Sequence, residues 1–282
     1  MPRRSRESTI EEKRRMRNQR RKRKRLSRTA REKENREMRT RKERDAYPWR
    51  KYRNTKSGPP SCKFATLQPI SEKELILGQG SYGRCILKSF KRLNVLVVEK
   101  QCLMQSTKEM TLTHKNIPAI IGIQLEREPI SLVKEFQGEE NTSTTVKKVN
   151  SSLTSKDWLI ICHDITDALA HIHSKGFLHC GLKSNNVLVT DKHGQIIDFR
   201  KACDSSFPPA KKYTFHYRHI AAEVLNGTHC SKASDVYSLG QILHEVATKQ
   251  EIPMLLVNAQ KCLDHKGTNN NRTNGITGLF NM

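Results

Sequence analysis

Apolar side chains are nearly absent before Leu67, and this segregation restricts where the chain can build a core. Residues 1–56 hold 25 of its 52 Lys and Arg but only 8 of its 28 acids, so +17 of the +24 net charge lies in the first 56 of 282 residues. Ile10, Met16, Leu26, Met38 and the aromatics near Trp49 recur at no core-forming period. Self-repulsion and the missing apolar face predict a disordered tail or a solvated helix. Ser57-Gly58-Pro59-Pro60-Ser61 then breaks the pattern as a linker. The expected organisation is a basic tail (1–56), a linker (57–66), a folded domain (67–250) and a C-terminal tail (251–282), with no internal repeat.

Composition narrows the setting. The eight cysteines are scattered, with no CxxC pair and no His at zinc-ligand spacing, which predicts reduced thiols. The N-terminus lacks the apolar stretch of a secretory signal, and runs such as Val95–Val98 and Ile117–Ile121 are too short to span a bilayer. A cytoplasmic or nuclear protein without a membrane partner is expected.

From Leu67 onward, Leu75-Ile76-Leu77, Cys85-Ile86-Leu87 and Val95-Leu96-Val97-Val98 predict successive antiparallel strands, as do Ile117–Ile123 and Ile130–Phe136. Thr107 to His114 is short and helix-compatible. Trp158, Ile161, Ile165, Leu169 and Ile172 recur at three- and four-residue steps, predicting a helix that opens at Thr154/Ser155 and closes at Gly176. Val187–Val189 and Gln195–Ile197 predict a hairpin whose turn, Asp191-Lys192-His193-Gly194, ends on glycine. Val236, Leu239, Leu243 and Val246 mark a second helix over Ser234–Lys249, after which the signal fades.

Gly78-Gln79-Gly80-Ser81-Tyr82-Gly83 lies between two strands, and glycines at this spacing let backbone amides approach phosphate oxygens without a Cβ in the way. Alone it also fits an ordinary glycine-rich turn. Lys100, 17 residues after Gly83, ends Val97-Val98-Glu99-Lys100. Further on come His179-Cys180-Gly181-Leu182-Lys183-Ser184-Asn185-Asn186-Val187-Leu188, Asp198-Phe199-Arg200, Ala221-Ala222-Glu223 and Ser234-Asp235-Val236-Tyr237-Ser238-Leu239-Gly240. These elements, in this order, resemble a eukaryotic-type protein kinase domain. The resemblance implies an α+β, two-lobed fold: a small antiparallel β lobe and a larger, mainly helical lobe, here apparently cut short. It also implies ATP and Mg²⁺ as cofactors, with Gly78, Gly80, Ser81, Gly83 and Lys100 at the nucleotide, Glu109 as ion-pair partner of Lys100, and Asn186 and Asp198 as metal ligands.

Several positions depart from the family pattern. Gly181 stands where the catalytic aspartate belongs, leaving His179 and Lys183 as the only candidates in the loop to take its place. Cys180 replaces an arginine that pairs with phosphate, a contact no thiol can make. Arg200 replaces a glycine, and either pairs with Asp198 against a metal or points to solvent. Only 13 residues separate Lys100 from His114, so the helix carrying Glu109 is expected to be short. The expectation is a pseudokinase that acts in signalling by binding or scaffolding protein partners. One alternative is a weakly active serine/threonine kinase, suggested by Lys183. Another is a nuclear or nucleic-acid-binding protein acting through Arg20–Arg25, a cationic run of the kind that import receptors or nucleic-acid phosphates attract.

Overall fold

Two glycines shape the first hairpin of the computed structural model, which describes residues 67–80, 83–91, 93–102, 112–124, 130–140, 142–149, 153–210 and 213–264. The expectations for residues 1–66, Ser81, Glu109 and residues 265–282 lie outside the described residues, as does most of the Thr107–His114 segment. β2 (Leu75–Gly80) and β3 (Gly83–Phe90) pair antiparallel, with Gly80 opposite Gly83 and a register shift between Ile76 and Gly78. Gly83 has φ +133°, a conformation side chains other than hydrogen rarely adopt.

β1 (Leu67–Pro69) joins the same edge further along β3. β4 (Val95–Cys102), β5 (Ile120–Gln124) and β6 (Ser131–Glu135) complete a six-stranded sheet in the order β1-β3-β4-β6-β5, with β2 also on β3. Every pairing is antiparallel. Ile86, Leu87, Val97 and Val133 are buried in it.

The second half is mainly helical. After β7 (Thr144–Thr145), α1 (Ser155–Ser174) opens with Thr154 and Asp157 in a capping box, and the chain leaves through Gly176 at φ +78°. Trp158, Ile161, Ile165, Leu169 and Ile172 are all buried, as their spacing requires. β8 (Phe177–Leu178) pairs with β11 (Cys203–Asp204), and β9 (Val187–Thr190) with β10 (His193–Ile196).

The β9–β10 turn differs from the expected one. It consists of Asp191 and Lys192, both left-handed, while Gly194 lies within β10. Glycine is needed there for proximity: a Cβ would sit 2.8 Å from the Ile161 carbonyl oxygen of α1.

The short α2 (Ala222–Leu225) precedes α3 (Lys232–Gln250), capped by Ser231. The fold does not end at Gln250. Pro253 opens α4 (Pro253–Leu263), whose Leu255, Ala259 and Cys262 are buried against α3. These residues follow helical spacing, but Ala and Cys are small, so the apolar face is weak in sequence. Their size permits the contact: a Cβ on Gly240 of α3 would lie 2.9 Å from the Cys262 Cβ. α3 is therefore covered where the sequence left it bare. We expect Leu255→Ala to lower stability by about 2–5 kcal/mol, read as a shift of the urea midpoint. A silent substitution would mean that α4 contributes no packing. Among the described residues no helix is long and apolar enough to cross a membrane.

Candidate active site

Strand register brings the first candidates together. Gly78 lies opposite Cys85, Cys85 opposite Lys100, and Lys100 opposite Leu132, so all four share one face of the sheet. Lys100 Nζ on that face reaches to 3.6 Å from Asp198 Oδ1, an approach between the strand lobe and the helical half. A Cβ on Gly78 would meet nothing within 4 Å, and its φ is not positive, so neither packing nor backbone conformation demands glycine there. That open face above a half-buried lysine fits the approach of a phosphate group.

Asp198 itself is left-handed, at φ +68°, an uncommon state for a residue with a side chain. Arg200 settles the alternatives left open by the sequence: its Nε and second terminal nitrogen donate to the two carboxylate oxygens, each at 2.5 Å. Burial alone would raise the Asp198 pKa, but the Arg200 hydrogen bonds and the charges of Lys100 and Arg200 outweigh it and bring it to about 2. Both carboxylate oxygens thus face a guanidinium.

The other expected ligand, Asn186, donates its side-chain N–H to the Gly181 carbonyl at 2.8 Å. That bond uses the Asn186 N–H and not its amide oxygen, so the obstacle to a divalent cation, which needs unshared oxygen donors, is Arg200 on both oxygens of Asp198. No group of three His, Cys, Asp or Glu among the described residues is arranged to hold a metal.

Gly181 lies within the buried loop between β8 and the 3₁₀ turn Ser184–Asn186. The space beside it is lined by the aliphatic stem of Lys201: a Cβ there would be 3.3 Å from Cδ of Lys201 and 3.6 Å from its Cβ. The Lys201 ammonium lies 5.4 Å from the centre of the Tyr213 ring. Among the residues expected to stand in as base, His179 is fully buried, and its Nε2 faces the Ile197 carbonyl at 3.1 Å, making it the donor. Burial, more than the opposing pull of Asp235, lowers its pKa, so the ring is a neutral structural group packed edge-on to Phe199. Lys183 lies half-buried in the same loop.

Two supporting residues carried no role in the sequence reading. Asp235, on α3 and 1% exposed, accepts from the His179 N–H at 2.7 Å, the Cys180 N–H at 2.8 Å and His173 Nε2 at 3.0 Å. It pins the loop in a conformation in which Cys180 has φ +55°. Its only sequence signal was a carboxylate beside the apolar residues of a predicted buried helix. Lys201, whose stem lies against Gly181, gave no signal, because proximity across 20 residues is a tertiary fact. Cys180 packs into an apolar cluster with Ile220, Ala221 and Val224, its sulfur 3.3 Å from Cys203. Contact with Cys203 and Cys230, then burial, pushes its thiol far up, so it packs as an unreactive thiol. Cys85, Cys162, Cys180, Cys203, Cys230 and Cys262 form no disulfide.

Residues 73–276, more than half of the chain, match the protein tyrosine and serine/threonine kinase family. The chain belongs to that family. This kinase-family chain is 30% identical over 140 residues to serine/threonine/tyrosine-protein kinase HT1 of Arabidopsis thaliana, covering 49% of this chain and 36% of that protein. It is 24% identical over 179 residues to tyrosine-protein kinase TXK of Homo sapiens, covering 62% and 34%. It is 26% identical over 153 residues to spermatocyte protein spe-8 of Caenorhabditis briggsae, covering 54% and 30%. The chain therefore spans about a third of the length of these relatives. Kinase domains generally use ATP and Mg²⁺ and act on proteins.

Proposed function

We propose that this kinase-family chain is a pseudokinase: it holds ATP in the cleft between Gly78, Lys100 and Asp198 and acts in signalling by binding protein partners. The observation that carries this reading is the lysine against Gly181. A substrate hydroxyl needs a carboxylate there to accept or orient its proton, and the chain supplies no side chain at position 181 and a cationic one beside it. His179 cannot substitute, being buried and already a donor.

Nucleotide binding draws on Lys100, whose ammonium is held toward Asp198 and positioned to meet phosphate oxygens, beneath a glycine hairpin with room at Gly78. A magnesium ion, where a kinase binds one, supplies charge neutralisation at the phosphates. In this chain Arg200 already places a cation at Asp198. ATP affinity is then carried by Lys100 and the backbone of the hairpin, with little dependence on metal.

Thermal denaturation of the whole chain tests this. ATP at about a hundredfold excess over its Kd stabilises a folded protein by about 2.7 kcal/mol, roughly 5–10 °C for a domain this size. We expect the same rise in EDTA as in Mg²⁺, and its loss in Lys100→Met. No shift with ATP under either condition would remove the nucleotide from the proposal; a shift only with Mg²⁺ would contradict the role given to Arg200.

A further inference from the structure

A cleft of about 620 Å³ lies among the loop that contains Lys183, the segment before α2, the turn after β7, and α3. Neither Lys100 nor Asp198 lines it. Its charged lining is one-sided: Lys147, Lys183, Arg218 and Lys249 contribute four cations, and Glu245 is the sole acid. That acid is taken, because Lys147 Nζ lies 3.0 Å from Glu245 Oε1. Lys183, Arg218 and Lys249 have no acidic partner among the described residues.

The net effect is a concave surface with about three uncompensated positive charges, where low-dielectric walls concentrate the field. His219 registers it. Burial is the larger cause, and the charges of Lys183 and Lys201 add to it, pushing the imidazole down to about 4 and leaving it neutral at pH 7. Ser184, Asn185 and Gln241 add neutral hydrogen-bonding groups to the same lining.

Such a site selects an anion. The cations belong to four separate segments converging on one pocket, not to an extended track with interleaved aromatics of the kind single-stranded nucleic acid follows. We propose that this cleft holds an Asp/Glu-rich segment of a partner protein, gripped by charge-assisted hydrogen bonds from Lys183, Arg218 and Lys249. This deepens the binding reading above by giving the partner its chemistry, and it does not depend on whether ATP is bound.

The test uses the full chain and a fluorescent dodecapeptide of alternating Glu and Ser with one benzoylphenylalanine as photocrosslinker, followed by polarisation at about 0.15 M salt. The basic tail offers a rival site, so two charge reversals are compared. Arg218→Glu with Lys249→Glu weakens binding by about tenfold or more. Arg21→Glu with Arg23→Glu weakens it by less than about threefold. Crosslinks fall within residues 183–185, 218–219 or 241–249. Crosslinks confined to residues 1–56, or equal losses from both pairs, overturn the proposal. So does an oligouridylate that displaces the peptide and crosslinks to the same cleft residues, which would make this a nucleic-acid site. The ATP-induced thermal shift, measured on the same variants, separates the two ideas: failure of peptide binding with the shift intact rejects the cleft alone, and loss of the shift in the parent chain rejects the nucleotide reading alone.

Discussion

Phosphoryl transfer from ATP to a protein hydroxyl rises by about 10²–10⁴-fold when Gly181→Asp is combined with Arg200→Gly and Lys201→Ala, equivalent to about 3–5 kcal/mol of barrier. Three changes are needed because three features oppose the reaction. Aspartate at 181 restores a group able to orient the hydroxyl, but its Cβ arrives 3.3 Å from the Lys201 side chain, so the new carboxylate pairs with that lysine unless it is shortened. A flexible methylene chain can yield a few tenths of an ångström, so the substitution is compatible with folding. Removing Arg200 releases both oxygens of Asp198 from their hydrogen bonds at 2.5 Å.

Radiolabel transfer to a generic protein substrate measures the rate, with Gly181→Asp alone expected to gain far less than the triple variant. A second readout is independent of turnover: the Mg²⁺ dependence of the ATP thermal shift, flat in the parent, should appear once Arg200 is glycine. A parent chain already as fast as the triple variant would show that another group prepares the hydroxyl.

Asp235→Ala should lower stability by about 3–5 kcal/mol, a large part of the 5–15 kcal/mol typical of a folded domain. The carboxylate is 1% exposed and accepts from two backbone N–H groups and an imidazole. Alanine leaves those donors buried without an acceptor, at a loop whose Cys180 is already left-handed. Asp235→Asn retains one acceptor and should lose less. Urea unfolding of both variants gives the comparison, and a shift below about 1 kcal/mol for Asp235→Ala would contradict the pinning role.

The same region sets an acid limit. Asp235 has a depressed pKa: burial opposes the shift, but the hydrogen bonds it accepts from His173 Nε2 and the His179 backbone N–H outweigh it. Its contribution is therefore present above the unfolded value near 3.8 and is lost as pH falls through the folded one. His179, lowered by burial, acts earlier: the unfolded chain takes up a proton below about 6.5 while the buried ring resists it, so stability declines from there downward.

The β hairpins and the two long helices were legible because their periods are local. Ile161, Ile165, Leu169 and Ile172 follow a 3.6-residue repeat on α1 whatever surrounds them, and Thr154 caps it with a side chain three residues from its partner. Where sequence reading fell short, the cause was a contact. α4 hid because its buried residues, Ala259 and Cys262, are small to suit a close approach at Gly240. Gly194 suggested a turn, yet its absent side chain serves the approach of β10 to Ile161.

Sequence alone determined that Gly181 offers no carboxylate, that Gly78, Gly80 and Gly83 space a hairpin, and that charge collects in the first 56 residues; identity and spacing along a chain need no coordinates. Only the tertiary structure decided that the Lys201 stem lies against Gly181, that Arg200 closes on Asp198, that Asp235 holds the loop from α3, and that three cations without an acidic partner among the described residues line one cleft. Each of these depends on which side chains from distant segments arrive within a few ångströms of one another, and packing of the whole core sets those distances.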